Sequence, residues 1–118
     1  MPATKKVDWV YRRNGCVSCK RADSFLADHG IAGRAIRDAR KEPVGWDEAQ
    51  ALVAEASKLF VAKGKKYVQV DLKKSPPDAE ELRKLIIGPT GNLRAPTIRR
   101  GKTLLVGFNE EMYDQVLG

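Results

Sequence analysis

Apolar residues recur along this chain with a spacing that switches between strand-like and helix-like, and each switch marks an element boundary. Residues 7–12 (Val-Asp-Trp-Val-Tyr-Arg) are rich in β-branched and aromatic types and predict a mostly buried strand, behind a short polar lead-in over residues 1–6. Asn14-Gly15 breaks that run. From Val17 the period becomes helical: Ala22, Phe25 and Leu26 share one face and Lys20, Arg21, Asp23 and Asp28 the other, with Gly30 as the stop. Residues 35–38 predict a second, shorter strand. After Pro43-Val44-Gly45, a second helix is expected with Asp47 and Glu48 in its first turn and Ala49, Leu52, Val53 and Ala56 on one stripe.

Residues 59–62 and 67–72 alternate around a Lys-Gly-Lys-Lys turn and predict a β-hairpin, although Leu59 could equally end the preceding helix. Ser75-Pro76-Pro77-Asp78 opens a third helix with Leu82, Leu85 and Ile86 inward. Two short strands, residues 97–99 and 103–106, follow Leu93-Arg94-Ala95-Pro96. Asn109 then caps a last helix carrying Met112, Tyr113, Val116 and Leu117. The order strand, helix, strand, helical insertion, hairpin, helix is similar to that of a thioredoxin-like α/β domain of the glutaredoxin type. That likeness implies a mixed four-stranded core sheet flanked by helices, in a single domain over residues 1–118 with an inserted helical and hairpin segment near residues 43–88. It also places Pro96 opposite the start of the first helix, with Ala95-Pro96 as the candidate cis bond.

Composition changes little in this picture. With 118 residues, 42% hydrophobic and 31% charged, the chain has enough material for one hydrophobic core. No stretch is apolar enough to span a membrane, and the amino terminus lacks a signal-like apolar core, so a cytoplasmic location and no membrane partner are expected. The formal charge of +7 raises the question of nucleic acid. Its cations are scattered, however, in small groups at Lys63-Lys65-Lys66, Lys73-Lys74 and Arg99-Arg100-Lys102, with no recognised module or aromatic-basic pattern. No nucleic-acid partner and a monomer are expected; a basic surface equally attracts small anions or an acidic protein.

The chemistry concentrates in Cys16-Val17-Ser18-Cys19, which uses both cysteines of the chain. In a reducing compartment such a pair is catalytic or metal-binding rather than a structural staple. A structural zinc site needs four ligands and the chain adds only His29, which reads as a helix-terminal or half-buried histidine, so no metal is expected. A thiol attacks only as its thiolate. At a helix start, the backbone N–H groups and the nearby cations Arg12, Arg13, Lys20 and Arg21 would lower the pKa of Cys16, making it the nucleophile. Cys19, one turn later and more buried, would be the resolving thiol. Pro96 either sets a strand-edge turn or shapes a substrate groove opposite the pair, and the pair favours the groove. Arg94 is either a solvated charge or an anion clamp beside the thiolate.

These residues resemble the arsenate reductase (ArsC)/Spx family of thioredoxin-fold proteins, and most closely its ArsC-like (seleno)protein branch, over nearly the whole chain. The likeness rests on Cys16-Val17-Ser18-Cys19-Lys20-Arg21-Ala22, Phe25-Leu26 with His29-Gly30-Ile31, residues 38–43, Leu93-Arg94-Ala95-Pro96, and Leu105-Val106-Gly107-Phe108-Asn109-Glu110-Glu111. Family arsenate reductases hold the oxyanion with arginines, one directly before the proline. Here that position is Ala95, with Arg94 one residue earlier, and the insertion offers lysines, which lack the bidentate fork of arginine.

The expected function is therefore a thiol–disulfide oxidoreductase with Cys16 and Cys19 as catalytic residues and Pro96, Ala95, Arg94, Arg12 and Lys20 around the substrate. No bound cofactor is expected; electrons would come from glutathione or a thioredoxin-type donor. The partners expected are a thiol or disulfide substrate, or a redox partner protein. The alternatives are arsenate reduction, with a small oxyanion as ligand, and the role that the Spx branch implies, a redox-sensing regulator acting with RNA polymerase.

Overall fold

The computed structural model describes residues 5–118; the first four residues of the polar lead-in lie outside the described residues. The elements run β1 (Lys5–Val7), β2 (Trp9–Arg12), α1 (Val17–Asp28), β3 (Ile31–Gly33), β4 (Ile36–Asp38), α2 (Trp46–Ala54), β5 (Lys58–Lys63), β6 (Lys66–Asp71), α3 (Ala79–Ile86), β7 (Thr97–Arg100), β8 (Thr103–Val106) and α4 (Glu110–Leu117). The main sheet has the order β4-β2-β7-β8-β5-β6. Its strands β4, β2, β7 and β8 are the expected four-stranded mixed core: β2 runs parallel to β4 and antiparallel to β7, and β7 and β8 are antiparallel. This is the thioredoxin-like arrangement. The inserted hairpin widens it to six strands, because β5 docks parallel to β8 and carries β6 on its outer side.

Alternation along the strands divides the core into two layers. On β5, Phe60 and Ala62 join Val10, Ile98, Leu105, Phe25, Leu26, Met112 and Tyr113 on the α1/α4 side. Leu59 and Val61 join Tyr11, Leu104, Val106, Ala49, Leu82 and Ile86 on the α2/α3 side. Both layers follow from the period-two geometry of strands, which sends neighbouring side chains to opposite faces. Leu59 is a buried strand residue, so the ambiguity between helix end and hairpin resolves to the hairpin.

Two expectations change. The single strand over residues 7–12 is divided at Asp8, whose backbone N–H donates to Arg99 O at 2.9 Å while its carboxylate accepts from the Gly101 N–H. The lead-in is also partly structured: β1 pairs parallel with β3, a strand the pattern did not predict. Gly33 ends β3 where a Cβ would stand 2.7 Å from Val10 Cγ2, so the close approach of the chain to β2 requires glycine there.

The helix ends follow local chemistry. Asp78 and Asn109 cap α3 and α4 by accepting from the N–H groups of Glu81 and Met112, at 2.8 and 2.9 Å. Gly30, at φ 63°, follows the C-cap residue His29. Among the described residues, no helix is long and apolar enough to cross a membrane.

Candidate active site

The turn between β2 and α1 places the two cysteines. Gly15 takes φ 78°, in the left-handed region that glycine tolerates, and reverses the chain into α1. Cys16 is the N-cap residue of that helix, in extended conformation, and its Sγ accepts from the Cys19 N–H at 3.4 Å. A sulfur thus stands where serine or aspartate usually caps. Cys19, on the buried face of α1 with Ala22, Phe25 and Leu26, is fully buried, and its Sγ accepts from the Arg13 N–H at 3.4 Å. Both thiols are free.

The two sulfurs have opposite acid–base character. Burial, the largest influence on Cys16, raises its pKa. It is outweighed by hydrogen bonds from the Cys19 side chain and N–H and from Arg13, helped by the Arg13 charge, so the net shift is downward. Burial pushes Cys19 up to about 12, reinforced by Cys16 and opposed by the Arg13 N–H and the Arg12 charge. One thiol is poised to ionise and its neighbour is held as a thiol.

The loop before β7 faces the pair. Cys16 Sγ lies 3.9 Å from Ala95 O, and the Ala95–Pro96 peptide is cis. Pro96 is buried, and its carbonyl accepts from the Gly107 N–H at 2.8 Å, which joins the loop to the end of β8. The Ala95 carbonyl thus faces Cys16, with the cis bond to Pro96 directly after it.

The other expected contacts are distributed differently. Arg12 forms a forked pair with Asp23, its Nε 3.1 Å from both carboxylate oxygens and its Nη2 2.8 Å from one, so it ties β2 to α1. Lys20 lies with Val17, Arg21, Phe108 and Glu110 on a groove of about 990 Å³ between α1 and the start of α4. Arg94 is neither a solvated charge nor a free clamp. Its guanidinium donates to Leu85 O and Ala62 O, both at 3.1 Å, and bolts the end of α3 to β5. Gly107 makes room for it: at φ 80°, a Cβ there would stand 3.1 Å from Arg94 Nη2.

A cleft of about 550 Å³ opens beside Ala95, lined by Tyr11, Arg13, Arg40, Asn92 and Arg94 among others, with no carboxylate side chain among the described lining residues. The sequence offers Arg13 as a cation near Cys16 and, for arsenate, as an alternative to Arg12 on the oxyanion; it does not single out Arg40. Nothing local marks Arg40; only the pairing of β2 with β4 brings its loop back toward Cys16.

A cysteine pair at the first helix of a thioredoxin-like sheet, faced by a proline loop, defines the class of thioredoxin-fold thiol proteins. Residues 11–116 match the ArsC family, and the chain belongs to it. Among curated proteins it is similar to the "Global transcriptional regulator Spx" of Listeria monocytogenes serovar 1/2a, 30% identical over 108 residues. It is also similar to the proteins of that name in Enterococcus faecalis and Bacillus subtilis, each 26% identical over 106 residues. Each alignment covers 86% of this chain and 80% of the relative.

Proposed function

We propose that the protein is a thiol–disulfide oxidoreductase in which Cys16 attacks and Cys19 resolves. The observation that carries this reading is the placement of one pair on one helical turn: a half-exposed sulfur at the N-cap, accepting from the Cys19 N–H and lowered in pKa, one turn before a fully buried one that is raised to about 12. The Cys16 thiolate attacks one sulfur of a substrate disulfide, forms a mixed disulfide and releases the other half as a thiolate, which takes a proton from water. Cys19 then attacks Cys16, closing the Cys16–Cys19 bond and releasing the second half as a thiol. Glutathione or a thioredoxin-type protein of the cytoplasm returns the two electrons. Pro96 and Ala95 border the substrate, and the basic cleft with Arg13 and Arg40 receives an anionic part of it. Lys20 lies on the groove between α1 and α4, which Cys16 does not line, and is left without a direct role at the sulfur. Arg12 acts indirectly, by fixing β2 against α1.

Arsenate fits less well. Ala95 offers no guanidinium, and Arg94 already serves two carbonyls. A redox-sensing regulator is the second reading, favoured by the likeness to proteins named as global transcriptional regulators. Purified wild type, Cys16→Ser and Cys19→Ser, assayed on a small disulfide and on arsenate, separate the three. Disulfide turnover lost in Cys16→Ser supports the proposal. Arsenate turnover overturns it in favour of the reductase, and a reversible Cys16–Cys19 bond without turnover in favour of the regulator.

A further inference from the structure

The six-stranded sheet has two outer edges, and they are finished differently. At β4 the edge is three residues long, and the loop after it is held by Arg37, whose guanidinium donates to Glu42 O and Pro43 O and pairs with Glu48. At β6 the edge is six residues long. Its register with β5 runs unbroken from Lys58 opposite Asp71 to Lys63 opposite Lys66, with neither bulge nor proline. Edges of that length are usually shortened, bulged or covered, because their free N–H and C=O groups invite another strand.

The ladder fixes which groups are free. The Lys58 N–H donates to Lys102 O, toward β8, and the Leu72 N–H donates to Ser57 O, toward β5. Bonded and unbonded pairs alternate along an antiparallel ladder, so residues 66, 68, 70 and 72 turn their main-chain groups to β5, and Tyr67, Gln69 and Asp71 turn theirs outward. The Asp71 carbonyl is taken by the Ser75 N–H at 2.9 Å; Tyr67 and Gln69 keep both groups without a main-chain partner among the described residues. The strand itself is firmly seated. The Tyr67 hydroxyl donates to Gln115 on α4, its ring lies 6.2 Å from that of Phe60, and Val70 and Leu72 pack on the α2/α3 layer. An incoming strand therefore meets an ordered template.

Charge selects the occupant. Lys63, Lys65 and Lys66 stand at the hairpin turn and Lys73 and Lys74 just past the strand, all exposed and none in a salt bridge among the described residues. Asp71 uses its carboxylate on the N–H groups of Lys73 and Lys74, at 3.0 and 3.1 Å. Between the lysines, Tyr67-Val68-Gln69-Val70 is uncharged, with Val68 exposed. A second copy fits poorly. Paired antiparallel, the turn lysines of each copy would face Lys73 and Lys74 of the other; paired parallel, each cluster would face itself. An acidic segment meets the same lysines as counter-charges.

We propose that β6 is a docking edge for an extended acidic segment of a partner protein, which adds to the sheet as a further strand. Its main chain bonds to Tyr67 and Gln69, an apolar side chain lies beside Val68, and its acidic ends meet the two lysine clusters. The site uses neither cysteine, so it stands whether or not the pair turns over a substrate.

The test is fluorescence polarisation of a labelled peptide, Glu-Glu-Thr-Val-Thr-Val-Glu-Glu, titrated with the whole protein. Wild type binds it, and a peptide with lysine in place of each glutamate binds about tenfold more weakly or worse. Two changes remove hydrogen bonds and leave every charge in place. One is N-methylation of alternate amides of the peptide, made in both phases, of which one phase faces β6. The other is Gln69→Pro, which deletes an outward donor where an edge strand accepts proline. Each weakens binding roughly tenfold. Lys65→Glu combined with Lys66→Glu weakens it to a similar degree and flattens its salt dependence. The N-methylated peptides require no variant, so they decide the question even where Gln69→Pro does not fold. Absence of peptide binding to wild type, or binding that survives N-methylation in both phases, overturns the proposal. A single-stranded DNA oligonucleotide that displaces the peptide and binds wild type and Gln69→Pro alike also overturns it, in favour of a nucleic-acid surface.

Discussion

Cys16 and Cys19 are the same side chain in two environments, and their difference comes from position on one helical turn. The sulfur at the N-cap meets a free N–H group and an arginine; the sulfur one turn in meets the core. Alkylation by iodoacetamide should therefore modify Cys16 alone, with a rate that reaches its plateau at a pH below that of an ordinary thiol near 8.5. Cys19 makes a separate prediction about stability. Its folded pKa is raised, so the stability it contributes is fully present below the unfolded value of about 8.5 and is lost as pH rises toward about 12. Urea unfolding measured across that alkaline window should show a decline that Cys19→Ala flattens. An equal decline in the variant would mean that the buried thiol is not its source.

At the scale of elements, the short polar links between strands and helices hold the site together as much as the strands do. Arg94 spans from α3 to β5 through two carbonyls, and Gly107 is small so that the guanidinium fits. Arg94→Ala should lower unfolding stability by about 1.5–3 kcal/mol, the worth of a hydrogen bond to a charged group, and Gly107→Ala should be destabilising as well. Removing the α4 cap with Asn109→Ala should cost about 1 kcal/mol by the same measurement. These elements also divide what the sequence made legible from what it hid. Caps and stops at Gly30, Asp78 and Asn109 are local chemistry, so helix starts and ends could be read directly, as could the turn before Cys16. The pairing of β1 with β3, and of β5 with β8, depends on segments far apart in the chain, and no local pattern encodes it. The sequence offers Arg94 as a solvated charge or an anion clamp and not as a tie between α3 and β5, because Ala62 and Leu85 reach it only once the sheet is assembled. Arg40 belongs to the same category.

Across the whole molecule, the formal charge of +7 is scattered, yet the cleft beside Ala95 gathers Arg13, Arg40 and Arg94 without a carboxylate among its described lining residues. Arg13→Ala and Arg40→Ala should each raise KM for a negatively charged disulfide about two- to fivefold and leave a neutral disulfide unaffected, with the difference shrinking as salt is added. Equal effects on both substrates would place the anionic part elsewhere. The capping sulfur of Cys16 has one more consequence. In the proposed cycle the pair closes into a disulfide and Cys16 would surrender the charge that caps α1, so the start of the helix and the electrons of the pair would belong to one equilibrium. The midpoint reduction potential is then a report on helix capping: each 1.4 kcal/mol by which the capped thiolate stabilises the reduced form raises it by about 30 mV. A fold that holds its thiolate well is, by that fact, a better oxidant.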